Sequence, residues 1–193
     1  MQHANKTRGV GPLGGSGLIA QWGASSLIRS VQYGLVRVNA STASGTATIT
    51  AVNTANAVLM YLGMSQDYVT DNANIDAHVV LTNSTTVTAT RNGAGPGNYL
   101  DVQFVVLEFA PGIVRSVQTG TIAMGGGQTS LTATITAINT ATAMVAYGHN
   151  MASTGDANAS YSRVTLTNST TVTAARVTGT AGNTVAYSVV EFF

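Results

Sequence analysis

Leu81-Thr-Asn-Ser-Thr-Thr-Val-Thr-Ala89 returns letter for letter as Leu166-Thr-Asn-Ser-Thr-Thr-Val-Thr-Ala174, 85 positions later. Nine unbroken identities at that distance mark an internal duplication, and the flanks extend it in both directions. Upstream, Ala47-Thr-Ile-Thr-Ala-Val-Asn-Thr-Ala55 matches Ala133-Thr-Ile-Thr-Ala-Ile-Asn-Thr-Ala141, and Ile28-Arg-Ser-Val-Gln-Tyr-Gly34 matches Val114-Arg-Ser-Val-Gln-Thr-Gly120. Downstream, Val105-Val-Leu-Glu-Phe109 matches Ser188-Val-Val-Glu-Phe192. The offset falls from 86 residues at the first pair to 83 at the last, a change that loops can absorb. The chain therefore divides into an arm over 1–27, a first module over 28–110 and its repeat over 111–193, with Ala110-Pro-Gly-Ile113 at the join.

Each module reads as strands. Thr, Val and Ile dominate, and apolar residues alternate with polar ones between clusters of Gly, Asn and Ser. In Gly45-Thr-Ala-Thr-Ile-Thr-Ala-Val52 the residues Ala47, Ile49 and Ala51 point one way and the threonines the other. The pattern predicts about six strands per module, in the first near 29–38, 46–52, 56–63, 76–82, 85–91 and 99–109. No stretch carries a helical period. That many short antiparallel strands in ~80 residues fold as a sandwich or small barrel. The expected fold is all-β: two tandem small antiparallel β-sandwich modules, immunoglobulin-like or jelly-roll-like, behind an extended N-terminal arm.

Composition narrows the function. Hydrophobic residues make up 45% of the 193, enough for two packed cores. Charged residues make up 8% and the net charge is +1, so the basic excess of a nucleic-acid binder is missing. A surface of Thr, Ser, Asn, Ala and Gly gives little repulsion between copies and suits a protein that stays docked. There is no cysteine, which excludes disulfides and thiolate metal sites. The longest apolar run, about 57–64, is far short of the ~20 residues that span a bilayer. The N-terminus lacks the apolar stretch of a signal peptide. A soluble chain with no nucleic-acid or membrane partner is expected.

The arm is glycine-rich, with Gly9, Gly11, Gly14, Gly15, Gly17 and Pro12, and ends in Leu18-Ile-Ala-Gln-Trp22, which holds the one tryptophan. Leu18, Ile19 and Trp22 are costly to leave in water, so the arm is expected to order by docking on a neighbouring subunit. Gly9, Gly11 and Gly14 fit the dinucleotide fingerprint in spacing alone, without the strand and helix that make it work.

Other candidates are weighed the same way. Asp67, Asp71, Asn72, Asn74 and Asp76 crowd one loop, with Asp156 and Asn158 in its repeat; calcium wants six to eight oxygens, yet Asp and Asn are ordinary turn formers, and a solvated loop is the expectation. His3, His78 and His149 show no metal-ligand spacing, and His78 reads as an exposed or satisfied strand residue. No nucleophile elbow or Ser/His/Asp set is present. Sequons at Asn39, Asn83, Asn158 and Asn168 are what chance supplies in a Ser- and Thr-rich chain. Tyr61 and Tyr147, matched in apolar strands, read as core. Neither a catalytic residue, a cofactor nor a metal is assigned.

Charges that recur carry a different message. Arg29/Arg115, Arg91/Arg176 and Glu108/Glu191 occupy equivalent positions. Val102, Phe104, Val106 and Glu108 share one face of the last strand, with Glu108 ending an apolar row. Arg91 with Glu108, and Arg176 with Glu191, are expected to form structural ion pairs at the end of each sandwich.

The order I-[KR]-S-[VI]-Q-x-G, T-A-T-I-T-x-[VI]-N-T, L-T-N-[SA]-T-T-V-T-A-x-R and V-V-E-F is carried by 28–34, 47–54, 81–91 and 105–109 and again by the second copy. It resembles a module of virion structural proteins of tailed bacteriophages, over both modules but not the arm. The resemblance implies a non-enzymatic particle component assembled in the host cytoplasm and located in the virion. The leading expectation is a capsid decoration or cement protein, a homo-oligomer on the outer lattice of the major capsid protein. A tail, collar or fibre component comes second. A host-surface or carbohydrate-binding adhesion module comes third, weakened by an aromatic content of 6%.

Overall fold

The structure is a computed structural model and describes residues 26–67, 76–94, 99–152 and 157–193. It is all-β, and the described residues form twelve antiparallel strands in two equivalent sets of six. The first set is β1 (Ile28–Val38), β2 (Ser44–Thr48), β3 (Ala57–Gln66), β4 (Ala77–Asn83), β5 (Thr86–Arg91) and β6 (Leu100–Phe109). The second is β7 (Val114–Met124), β8 (Ser130–Thr134), β9 (Ala143–Ala152), β10 (Arg163–Asn168), β11 (Thr171–Ala175) and β12 (Asn183–Phe192). One turn of α-helix, Ala157–Ser160, precedes β10.

Each module is two three-stranded sheets laid face to face. Sheet orders are β1-β6-β3 over β2-β5-β4 in the first, and β7-β12-β9 over the sheet of β8, β11 and β10 in the second. Residues alternate between faces along a strand, so β6 sends Val102, Phe104 and Val106 inward against Val36, Val79 and Val87. In the second module Val185, Tyr187 and Val189 of β12 do the same against Ile122, Val172 and Ala174. The tandem sandwich expectation holds, as does the placement of all six strands in the first module.

Two strands shift in extent. The reading placed the second at 46–52 and the third at 56–63, whereas β2 spans Ser44–Thr48 and β3 runs on to Gln66. Beyond β2 the chain is held by contacts other than a ladder: the Ile49 amide donates to the Thr85 carbonyl and the Val52 amide to that of Ser84, both at 2.9 Å. The alternation holds through Ala47 and Ile49 and then breaks: Val52 is buried in the core, whereas Ala51, expected on the same side as Ile49, is exposed. Alternation lasts only as long as the ladder that imposes it.

The repeated heptapeptide ends in glycine for a steric reason. Gly34 lies opposite Phe104 on the neighbouring strand, and Gly120 opposite Tyr187. A Cβ at Gly34 would enter the Phe104 ring, and one at Gly120 would sit 2.7 Å from the Tyr187 hydroxyl. The aromatic ring of the last strand thus covers the glycine of the first in both modules.

The two sandwiches also pack on each other. Val58 and partly buried Met60, Leu107 and Phe109 of the first module meet Val114, Ala146, Val190 and Phe192 of the second. Phe109 and Phe192, which end equivalent strands, stand edge to face at 5.4 Å between centroids. Higher up, Gly148 presses on β4, where a Cβ would lie 2.7 Å from the Val79 carbonyl.

Candidate functional site

The polar residues that recur in both copies gather at the two ends of each sandwich. At one end Glu108, buried on the inward face of β6, accepts from the Asn53 amide (3.0 Å), Arg29 Nη1 (3.1 Å) and Ser30 Oγ (3.2 Å). Glu191 repeats this with the Asn139 amide at 2.8 Å and Ser116 Oγ at 3.4 Å. Beside them Gln32 clips the chain after β2 by donating to the Thr50 carbonyl (3.0 Å) and accepting from its amide (2.8 Å), and Gln118 does so with Thr136. Asn53 and Asn139 each accept from the amide two residues on, at 3.1 Å, and start a turn of 3-10 helix.

At the other end Arg91 donates from Nε to the Thr42 carbonyl (2.8 Å) and from Nη2 to that of Asn39 (3.0 Å). Arg176 donates to the carbonyls of Gln128 (2.9 Å), Gly125 (2.8 Å) and Ala159 (2.9 Å). Burial pulls both guanidinium groups below their ordinary range, but they stay charged at neutral pH.

The expected ion pairs Arg91–Glu108 and Arg176–Glu191 are therefore corrected. Glu108 sits beside Ser30 at the start of β1, whereas Arg91 holds the turn after β1 and pairs with Ala77. The length of β6 lies between them. The salt bridge to Glu108 comes instead from Arg29, at 3.1 Å. In the second module Arg115 lies 5.2 Å over the ring of Phe193. Recurrence identified residues with a structural duty but not their partners, because both ends of a sandwich recur together.

Two features belong to one copy only and left no signal in the repeat. Arg37 and Asp101 form a bidentate pair on the first module at 2.8 and 2.6 Å, with Tyr99 4.2 Å beneath the guanidinium. That partner lowers the Asp101 carboxyl, and Asp101 raises the Arg37 guanidinium. Equivalent positions in the second module hold Ala123 and Thr184.

The other feature lies between the modules. His149 of β9, at φ 64°, stacks on Tyr61 at 4.4 Å and meets Tyr147 edge-on at 5.6 Å. Its Nε2 is 3.6 Å from Asp76 Oδ1. His78 is buried nearby and its Nδ1 has no hydrogen-bond partner, which corrects the exposed or satisfied reading. Burial, with His149 adding to it, pulls the His78 imidazole below its ordinary value. Burial also pushes the Tyr61 hydroxyl up to about 12 and raises Tyr147, which donates to Asn150 Oδ1 at 2.6 Å. Tyr61 and Tyr147 both pack against the cores, as expected.

The outer faces of the two large sheets match in backbone and differ in chemistry. In the first module the rows across β1, β6 and β3 run Val31–Leu107–Val58, Tyr33–Val105–Met60 and Leu35–Gln103, with Leu62 bulged out beside Gln103. In the second they run Val117–Val190–Met144, Thr119–Ser188–Ala146 and Thr121–Ala186, with Gly148 at the bulge. Both faces contribute to the junction: Val58, Met60 and Leu107 of the first share one apolar cluster with Ala146, Val190 and Met144 of the second. A cleft of about 10 Å³, too small for a ligand, lies between the modules, lined by Val79, Val80, Thr119 and Ala186 among others. Away from that cluster the first face is exposed among the described residues: Tyr33 is 76% exposed, Leu62 50%, Val31 45% and Leu35 43%. Tyr33, Leu35, Leu62 and Gln103 border a shallow open groove of about 320 Å³.

Leu18, Ile19 and Trp22 of the arm, Gly9, Gly11, Gly14 and His3 lie outside the described residues, as do Asp71, Asn72, Asn74 and Asp156. Of that loop, Asp67 accepts from the Tyr99 amide at 3.0 Å and Asp76 is buried against His149. Among the described residues no cluster of three or more His, Asp or Glu is placed to hold a metal. No helix of the described residues is long and apolar enough to cross a membrane. Comparison with family models, curated proteins and solved structures finds no match to this chain.

Proposed function

We propose that this chain is a non-enzymatic structural protein of a tailed-bacteriophage virion, a decoration or cement protein that self-associates and binds the outer capsid lattice. The observation that supports it is the use of the repeated polar side chains. Arg91, Glu108, Arg176, Glu191, Gln32 and Gln118 are all turned to the chain's own backbone, closing the ends of the sandwiches. What the first module offers outward is a broad apolar sheet face. That combination suits a rigid block held by surface contact and not by chemistry at a cleft. With 8% charged residues, attachment would rest on apolar and hydrogen-bond contacts.

The test is the copy number of this chain, by mass spectrometry, in purified particles of the phage that encodes it. Copies comparable with the major capsid protein support the lattice assignment. Far fewer copies move the chain to the neck, tail or fibres, and none rejects a virion role. Retention on particles in about 1 M NaCl, where the Debye length is near 3 Å, is the expected result for uncharged contacts. Release by salt refutes that mode of attachment.

A further inference from the structure

We propose that the contact between the two modules is a proton-operated latch: His78 of β4 and His149 of β9, buried together across the junction, leave it closed while both rings are neutral, and acid opens it by charging His78 beside His149. The inference does not depend on a virion role. His149 belongs to the second module but reaches across to the first. It stacks on Tyr61 at 4.4 Å between centroids and 6° between planes, and its Nε2 faces Asp76 Oδ1 at 3.6 Å. Its backbone is held at φ 64°, in the left-handed region, where the equivalent position of the first module is Gly63. A residue with a Cβ is strained there, and such strain persists only where packing enforces it. The stack on Tyr61 supplies that packing from the other module, so parting the junction releases the strain.

The balance of charge makes the latch respond to pH. His78, His149 and Asp76 are all buried, and His78 Nδ1 and His149 Nε2 have no hydrogen-bond partner. An imidazolium donates from both ring nitrogens, so each ring needs acceptors once it is charged. Asp76 stands where it can balance a proton on His149 Nε2. His78 Nδ1 has no such acceptor, and a second positive charge beside His149 is repelled. Burial and His149 together already hold the His78 imidazole below its ordinary range. Among the described residues Tyr61, Tyr147 and Tyr161 also surround the pair, and Tyr187 of β12 borders the cleft with Val79 and Gly148; phenols bring no negative charge in acid. On β5, Thr90 pairs with His78, and Arg91 turns to the Asn39 and Thr42 carbonyls. Water reaches a charged His78 only if β9 moves off β4. The other end of the junction resists: Val58, Met60, Leu107, Val114, Ala146 and Val190 form an apolar cluster next to the 110–113 linker and include no titratable side chain. The modules therefore part at the histidines and pivot at the linker.

Small-angle X-ray scattering of the full chain from about pH 7.5 to about pH 4.5, with far-ultraviolet circular dichroism on the same samples, tests this across the histidine range. The radius of gyration should rise reversibly on acidification while the circular dichroism stays unchanged. The closed junction holds His78 below its ordinary value and the open one frees it. The docked state is then fully favoured above about pH 6.5 and loses ground as pH falls from there towards the closed value. Each pH unit in that window should multiply the open-to-closed ratio by up to about tenfold. His78→Gln, which takes up no proton, should stay closed over the whole range. If that variant loses its circular dichroism, histidine nitrogen NMR of the parent decides: the His78 ring should protonate in step with the rise in radius. A radius that never changes overturns the proposal, as does one that rises only together with loss of circular dichroism. So does a folded His78→Gln chain that opens where the parent does, or a His78 ring that protonates without opening.

Discussion

Arg91 and Glu108 should contribute to stability independently. Arg91→Ala removes donors from the Asn39 and Thr42 carbonyls at 3.0 and 2.8 Å and empties the space of one of the largest fully buried side chains. Hydrogen bonds from a charged group contribute roughly 1.5–3 kcal/mol each, so the loss should be about 3–5 kcal/mol. Glu108→Ala frees the Asn53 amide and Ser30 hydroxyl and releases Arg29, whose side chain is 62% exposed. The exposed pair is worth at most about 1 kcal/mol, which puts the whole change at about 2–4 kcal/mol. Glu108 lies eight steps along β6 from Leu100, at the Arg91 end, or roughly 26 Å at 3.3 Å per residue. Sites that far apart add to within about 0.5 kcal/mol. The assay is equilibrium urea unfolding, followed by far-ultraviolet circular dichroism, of the parent, both single variants and the double. If the double variant retains too little structure, Arg91→Lys and Glu108→Gln form a milder cycle with the same logic. A coupling energy above about 1 kcal/mol between the two sites would refute the geometry and restore the ion pair. Arg29→Ala with Glu108→Ala is the positive control and should show the coupling that Arg91 lacks.

Gly34→Ala drives a methyl into the Phe104 ring and should cost about 1–3 kcal/mol by thermal unfolding, with most of it recovered in the background Phe104→Leu. Gly148→Ala meets the Val79 carbonyl at 2.7 Å and the Ala186 methyl at 2.9 Å, so it should loosen the junction between modules. Faster proteolysis near Pro111 is the expected readout, and an unchanged cleavage rate would show that the junction yields without cost. Acid should weaken the fold through His78: its imidazole is held below the ordinary 6.5, so the unfolded chain takes up the proton first. Stability is then full above about pH 6.5 and falls as pH drops from there towards the folded value. The melting temperature should fall between pH 7.5 and 5, and His78→Gln should flatten that fall.

The duplication, the strand content and the strand positions along the first copy were legible in the chain itself, whereas the pairing order β1-β6-β3 over β2-β5-β4 came only from the structure. Periodicity of two in a Thr- and Val-rich sequence can satisfy only a pleated, two-faced element, and a nine-residue identity can only be a second copy of it. The same alternation placed Val102, Phe104 and Val106 on the core side and put Glu108 in line with them. What alternation cannot carry is position along the sandwich axis across different strands. Arg91 and Glu108 both recur and both face inward, yet the turns after β1 and β2 carry them to opposite ends. The role of Gly34 likewise depends on register, since only pairing with Phe104 turns a flexible residue into a steric requirement. Sequence comparison of the copies shows Leu62 opposite Gly148 and His149 opposite Gly63 as unexplained differences. Only the packing of one module on the other gives them meaning. Duplication makes two matching sites, but docking treats them unequally: Gly148 is buried against β4, where no Cβ fits, while Leu62 at the equivalent position of the first module is exposed.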